Sequence, residues 1–340
     1  MELFDTPAQT NKNIKKSKSF KTDKIINQKN NNENIVDNYK KSQELKEIKS
    51  FSEIKEKLLD QFNKKTLHHA IMLSGNYGIG KATFAYWLVS NMIIDECKKQ
   101  NNDENLIKMH INLLEKNIHP DVFFLNIQED ENEIKIDQVR EMLNKINLKS
   151  TYGNKFVIID DINSINFNGL NTLLKTLEEP FKNTFFLIID HQTTRLLDTI
   201  YSRCNKIKLS LSSEECMSIL QQLHPDWSKE DIKFHANISG NSINFANKLH
   251  ELDITKSINS ITNNQEIANL LNKFSKQIDT KYNNLSRILK ISLLEQIIMF
   301  FIKRNINSCE VPNEQIIKQN NSLLKQIIDI KSYELPVRFI

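Results

Sequence analysis

The sequence predicts an α/β fold: a parallel β-sheet with helices on both faces, followed by a small helical segment and a second helical block. Three observations predict it. Short, nearly uninterrupted apolar runs alternate with helix-periodic stretches between residues 70 and 211, the pattern of strands buried on both faces of a parallel sheet. A glycine cluster lies directly after the first of these strands and directly before a helix-periodic stretch. Strand signals end at Leu211, beyond which only helical periodicity remains.

Taken in order, residues 1–48 carry Lys and Asn runs (KNIKKSKSFK, NQKNNNEN) with few large apolar groups. Burial cannot offset the entropy of ordering such a segment, so a disordered polar tail is expected. Ser50 and Glu53 have the spacing of a capping box, and Phe51, Ile54, Leu58 and Phe62 follow at helical spacing, so the folded domain is expected over 49–211. The strand candidates are AIMLS (70–74), DVFFLNI (121–127), KFVIIDD (155–161), TFFLIID (184–190) and KIKLSL (206–211). Between them, Val139, Met142, Leu143 and Ile146 form one helical stripe, and Leu170, Leu173, Leu174 and Leu177 form another that ends before Pro180. Ser212 and Glu215 repeat the capping-box spacing and open a helical segment over 212–255. The polar stretch TKSINSITNNQE then leads to a block over 265–340 that contains ILKISLLEQIIMFFIKR.

Composition narrows the function classes. The 340 residues are 39% apolar and 26% charged, as in a globular protein, and collagen, rod and membrane classes are excluded. With 46 basic against 42 acidic residues, a net charge of +4 is too small to announce nucleic-acid binding by itself. Cys97, Cys204, Cys216 and Cys309 are scattered without the close pairs of a zinc cage or disulfide framework, which fits a reducing compartment. The opening MELFDTPAQTNKN has no apolar signal core, the basic segment behind it has no arginine, and the longest apolar run, Ile297 to Ile302, is far below the ~20 residues of a membrane span. A cytoplasmic protein with no membrane partner is expected.

Only six glycines occur, where usage of about 7% would give roughly two dozen. Three of them, Gly75, Gly78 and Gly80, sit in SGNYGIGKAT, in the strand, loop, helix context of a phosphate-binding loop. There Gly75, Asn76, Tyr77, Gly78, Ile79 and Gly80 would turn their amides inward at a helix N-terminus, and Lys81 would reach the outer phosphates. The G-x-x-G-x-G order followed by lysine differs from the dinucleotide fingerprint, so a triphosphate nucleotide such as ATP is the expected guest. Ala82 stands where a Ser or Thr hydroxyl would ligate Mg²⁺, and Thr83 lies about 100° further round the helix, so weak metal ligation is expected. FVIIDD places Asp160 where a carboxylate would organise Mg²⁺ through its waters, and Asp161 where a residue would orient the attacking water, one methylene shorter than the usual glutamate.

The segments HHAIMLSGNYGIGKATFAYWL, HPDVFFLN, IKIDQVREML, LNTLLKTLEEP and SRC, in this order over about residues 50 to 250, resemble the delta-prime subunit family of the bacterial DNA polymerase III clamp loader, within the AAA+ P-loop NTPases. GIGKAT, with alanine after the lysine, resembles the alphaproteobacterial type. The resemblance implies an AAA+ sheet domain, a helical lid over 212–255 and a C-terminal collar over 265–340. It implies a ring with tau/gamma and delta subunits that places a sliding clamp on primer-template DNA. It also implies that Arg203, in SRC, acts in trans as an arginine finger on the neighbouring subunit's nucleotide.

Departures from the family pattern shape the expectation. Many relatives hold zinc with four cysteines between the P-loop helix and the HPD segment; here Cys97 remains, with His110 and His119, and no zinc is expected. The sensor at the end of the fourth strand falls near Asp190, His191 and Gln192, and Asn244 and Phe245 stand where the lid would carry an arginine. Asp198 and Tyr201 replace the Pro and Arg common before SRC. The reading that follows is a subunit with weak or absent ATPase activity; the alternative is an active AAA+ ATPase of the tau/gamma motor type or a related DNA-remodelling enzyme. For DNA, Lys145, Lys149 and Lys155 flank one helix and loop, a pattern that a solvated helix face also produces.

Overall fold

The computed structural model describes residues 51–307 except 101–102, 129–130, 132, 193–195, 255–257, 259–263 and 283–286, and in addition residue 321. The expected tail, Ser50 and Cys309 lie outside the described residues.

Five strands form one sheet: β1 (Ala70–Ser74), β2 (Val122–Leu125), β3 (Lys155–Ile159), β4 (Thr184–Asp190) and β5 (Asn205–Lys208), in the order β2-β3-β4-β1-β5. Every pairing is parallel. The alternation along each strand divides the core. Ile71, Leu73, Phe156, Ile158, Leu187 and Ile189 face Leu58 of α1 (Ser52–Asn63) and Phe84 and Leu88 of α2 (Lys81–Gln100). Ala70, Met72, Val157, Ile159, Phe186 and Ile188 face Val139, Met142 and Ile146 of α4 (Ile136–Asn147) and Leu173 and Leu177 of α5 (Phe167–Glu178). A further helix, α3 (Glu104–Glu115), packs beside α2 and contributes Leu114. The α/β expectation of a sheet covered on both faces is met.

Element ends differ from the sequence reading in several places: β2 spans Val122–Leu125 and β3 Lys155–Ile159, each shorter than the apolar run that announced it. The first helix begins at Ser52 with Phe51 at its N-cap in a left-handed conformation (φ 65°) and no side-chain cap; the Phe51 ring packs edge-on against Phe84 at 5.7 Å, so an aromatic contact fixes the chain's entry. Strand β5 stops at Lys208, and Leu209 and Leu211, read as strand, are buried loop residues.

After a short helix α6 (Asp198–Tyr201) and β5, the chain is helical: α7 (Ser213–Leu223), α8 (Lys229–Ile238), α9 (Ile243–Glu251), α10 (Asn264–Lys281) and α11 (Arg287–Asn307). The Ser212/Glu215 capping box is formed, with Ser212 Oγ accepting from Glu215 N at 3.1 Å and Glu215 Oε2 accepting from Ser212 N at 2.9 Å. Cys216, Leu220, Trp227, Ile232 and Ala246 make a small core within α7 to α9. Phe245 and Leu249 of α9 instead join Leu271, Phe274, Leu294, Ile297 and Phe301 of α10 and α11, so the two helical blocks share a core. Among the described residues no helix is long and apolar enough to cross a membrane.

Candidate nucleotide site and the Arg203 cluster

The glycine loop connects the buried β1 to α2, whose first residue is Lys81. Gly78 and Gly80 have φ of 77° and 92°, the left-handed region that other residues enter only with strain. Around Gly80 there is open space, whereas a Cβ on Gly78 would stand 2.4 Å from Ser242 Oγ and 2.6 Å from Asn244 Cβ. The N-terminus of α9 is thus seated on the loop, and Asn244 N donates to Gly78 O at 3.2 Å. Tyr77 completes the contact, 5.2 Å from the Phe245 ring and 5.0 Å from His191. Asn244 and Phe245, where the resemblance implies an arginine, are thus among the residues that pack α9 onto the loop.

Lys81 is buried and donates from Nζ to Gly75 O and Asn76 O, both at 2.6 Å. Burial pulls its ammonium down to about 8, while Asp190, Asp160 and Asp161 pull it the other way. Three carboxylates thus act electrostatically on one cation. Desolvation, reinforced by Asp161, raises Asp160 to about 6 against the attraction of Lys81. The Asp161 carboxylate is spent locally: at φ 70° it caps the turn Ile162–Ser164, accepting from Asn163 N and Nδ2 at 3.1 Å each and from Ser164 Oγ at 2.8 Å. Asp190 is also committed, accepting from Ser74 Oγ and Gln192 N at 2.8 Å each. Asp190 was read as one of three sensor candidates; its role as the buried tie between β1 and β4 had no signal in the sequence. His191 lies beside the loop, and burial and the Lys81 charge push it down to about 3.

These residues fit a nucleotide's phosphates better than its metal. The loop amides, the helix N-terminus and a lysine are present, but Ala82 has no side-chain oxygen, Ser74 Oγ is held by Asp190, and Asp161 is held by its own turn. Thr83, one residue further on, is half-buried. A cleft of about 240 Å³ opens next to the loop between Asn76, Tyr77, His191, Gln192 and Glu295 of α11.

The HPD segment serves a structural purpose. Buried Asp121 accepts from Thr151 N at 2.9 Å and from Tyr152 N at 2.7 Å, which pins the turn before β3. Cys97, His110 and His119 do come together with Tyr152, as three of the residues around a small cavity, but the two imidazoles are bonded to each other, His110 Nδ1 to His119 Nε2 at 2.9 Å. Desolvation and the His110 neighbour push His119 down to about 4. Among the described residues no group of three His, Cys, Asp or Glu is placed to hold a metal ion.

Arg203 follows α6 at the entry to β5, some distance in sequence from the glycine loop. Its guanidinium donates from Nη1 to Thr199 O at 2.7 Å and from Nη2 to the carboxylate of Glu178, the last residue of α5. No local pattern signals this pair, because the partners are 25 residues apart and on separate elements. Among the lysines weighed for DNA, Lys155 is buried and donates to Ile146 O, while Lys145 and Lys149 are exposed.

Comparison with known proteins bears on this site. Residues 50–213 match the family described as DNA polymerase III, delta subunit. A DNA polymerase III subunit delta' of Pseudomonas aeruginosa is 33% identical over 193 residues, covering 54% of this chain and 56% of that protein. The Escherichia coli delta' subunit is 30% identical over 151 residues, 44% of each chain. A DNA polymerase III subunit gamma of Buchnera aphidicola subsp. Schizaphis graminum is 27% identical over 304 residues, 80% of each. Against the delta' relatives, the chain spans about half of their length.

Proposed function

We propose, on the premise that residues 50–213 belong to the DNA polymerase III delta family, that this chain is a delta-prime-type subunit of the DNA polymerase III clamp loader. In this reading it joins tau/gamma and delta subunits in a ring that loads the sliding clamp onto primer-template DNA. The collar helices α10 and α11 supply ring contacts, and the protein acts in the cytoplasm. Its own ATPase activity is weak or absent, ATP binds with poorly held Mg²⁺, and Arg203 serves the neighbouring subunit's nucleotide in trans.

The observation that carries the weak-ATPase reading is the state of Lys81. Its ammonium is turned onto two carbonyls of its own loop, the charges of Asp190, Asp160 and Asp161 act on it, and the next residue is Ala82. To meet a triphosphate, the lysine must exchange two short hydrogen bonds, and the surplus of carboxylates opposes a polyanion. Without a hydroxyl for the metal or a free water-orienting carboxylate, little charge developing in the transition state is stabilised.

Single-turnover hydrolysis of ATP by the purified chain tests this. Negligible turnover, with Lys81→Ala no slower, supports the reading; turnover that disappears in Lys81→Ala overturns it. The overturning result would favour the motor reading, which the match to a gamma subunit across 80% of both chains supports.

A further inference from the structure

We infer that Glu178 is a positioning residue for Arg203, setting the guanidinium that the neighbouring protomer's nucleotide meets. This inference rests on the trans role proposed for Arg203 and assigns a task to the acidic end of LLKTLEEP that no step above uses.

The geometry is specific. Arg203 is anchored from two elements: Nη2 by the Glu178 carboxylate at the C-terminus of α5, and Nη1 by the Thr199 carbonyl in α6, with Ser202 Oγ at 3.3 Å as a further acceptor. The Nε atom is buried without a hydrogen-bond partner. An arginine has several rotatable bonds, so fixing both terminal nitrogens removes most of its rotamer freedom before any phosphate arrives. The carboxyl-terminal end of α5 adds partial negative charge beside the guanidinium and favours the same placement. The side chains remain 30% exposed for Arg203 and 49% for Glu178, so the pair faces outward. An ion pair this exposed contributes little to folding. Its organisation is therefore better explained by orientation than by stability.

The test uses the full-length chain reconstituted with its ring partners and measures steady-state ATP turnover by the complex. Arg203→Ala is expected to lower kcat by at least about tenfold. Glu178→Ala is expected to lower kcat by about three- to tenfold with KM for ATP and ring incorporation unchanged, a misplacement effect smaller than deletion of the arginine. Glu178→Gln, which keeps an acceptor without the charge, is expected to recover about half of that loss on the logarithmic scale. In an Arg203→Ala background, Glu178→Ala is expected to cost nothing further, because the two residues act as one unit. Should Glu178→Ala fail to enter the ring, the Gln variant carries the test through the same non-additivity with Arg203→Ala. Unchanged kcat, a loss that persists without Arg203, or a rise in turnover overturns the positioning role while leaving Arg203 in place. Unchanged turnover in Arg203→Ala removes the trans reading itself.

Discussion

Replacing Gly78 by alanine tests the seating of α9, in the segment expected to form the lid, on the glycine loop. At φ 77° a Cβ costs about 1–2 kcal/mol from backbone strain alone. The same atom would stand 2.4 Å from Ser242 Oγ and 2.6 Å from Asn244 Cβ, an overpacking worth roughly 1–3 kcal/mol if the lid stays in place. Pushing Ser242 aside also disturbs the cap it provides to Phe245 N at 3.2 Å, worth about 1 kcal/mol. The terms are alternatives as much as additions, because a lid that lifts relieves the clash but forfeits the Asn244 to Gly78 hydrogen bond. A destabilisation of about 3 kcal/mol is expected. Urea unfolding followed by tryptophan fluorescence measures it through Trp227 in the lid core and Trp87 in α2. Hydrogen exchange at the Asn244 amide reports lifting directly. Gly78→Ala with an unchanged midpoint and unchanged exchange at Asn244 would refute the contact.

Other outcomes follow from the same structure. Asp121→Ala leaves the amides of Thr151 and Tyr152 without their acceptor and is expected to lower stability by about 2–4 kcal/mol, measured by denaturant melts. Stability is expected to fall as pH drops from about 6.5 to about 4. His119 and His235 are held near 4 and His191 near 3 by burial, so the unfolded chain takes up protons first. Asp160, raised to about 6, works in the opposite direction, its contribution being present at low pH and lost as pH rises through 6. Three groups outweigh one, so melting midpoints across that window should decline; a flat or rising profile would contradict the burial of these imidazoles. Because the Lys81 ammonium is lowered to about 8, any ATP affinity of the isolated chain should weaken between pH 7 and pH 9, as read by nucleotide titration at constant ionic strength.

What the sequence disclosed followed from local pattern. AIMLS and TFFLIID are strands to the residue, because both are buried on both faces and carry a continuous apolar run. The Ser212 cap was legible for the same reason, its partner Glu215 lying three residues away. Strand β5 was misjudged at both ends: it is an edge strand with exposed Asn205, Lys206 and Lys208, and the apolar Leu209 and Leu211 behind it belong to the loop. The order of Asp160 and Asp161 after β3 was visible, but the left-handed turn that consumes the Asp161 carboxylate was not, since residue type alone does not fix φ. Cys97, His110 and His119 could be read only as vestiges of a metal site. Their actual arrangement, with His110 also edge-on to Tyr152 at 4.4 Å, depends on the turn that Asp121 holds. The ties of Glu178 to Arg203 and of Asn244 to Gly78 were not legible because the partners are 25 and 166 residues distant, and no periodicity encodes such pairings.

The glycine loop itself carries two demands that the sequence merges into one motif. Gly80 is required by its backbone angle, with open space where a side chain would be, and this is the conformation a phosphate cradle needs. Gly78 is required by the lid, whose Ser242 and Asn244 occupy the volume any larger residue would claim. A chain that had given up hydrolysis would still be held to glycine at position 78 by packing, and to a buried lysine at 81 by two loop carbonyls. The motif therefore attests to an architecture. What distinguishes a motor from a fixed member of a ring lies in groups the motif leaves open: the residue after the lysine, the carboxylate free to aim a water, and the cation supplied by the lid. In this chain those positions are Ala82, an aspartate engaged in its own turn, and Asn244 with Phe245 docked on the loop. Arg203, the guanidinium proposed to act on a neighbour's nucleotide, is braced at a separate place in the fold, at the end of α5. A braced Arg203 beside a pocket without those groups is what the proposed role in trans calls for.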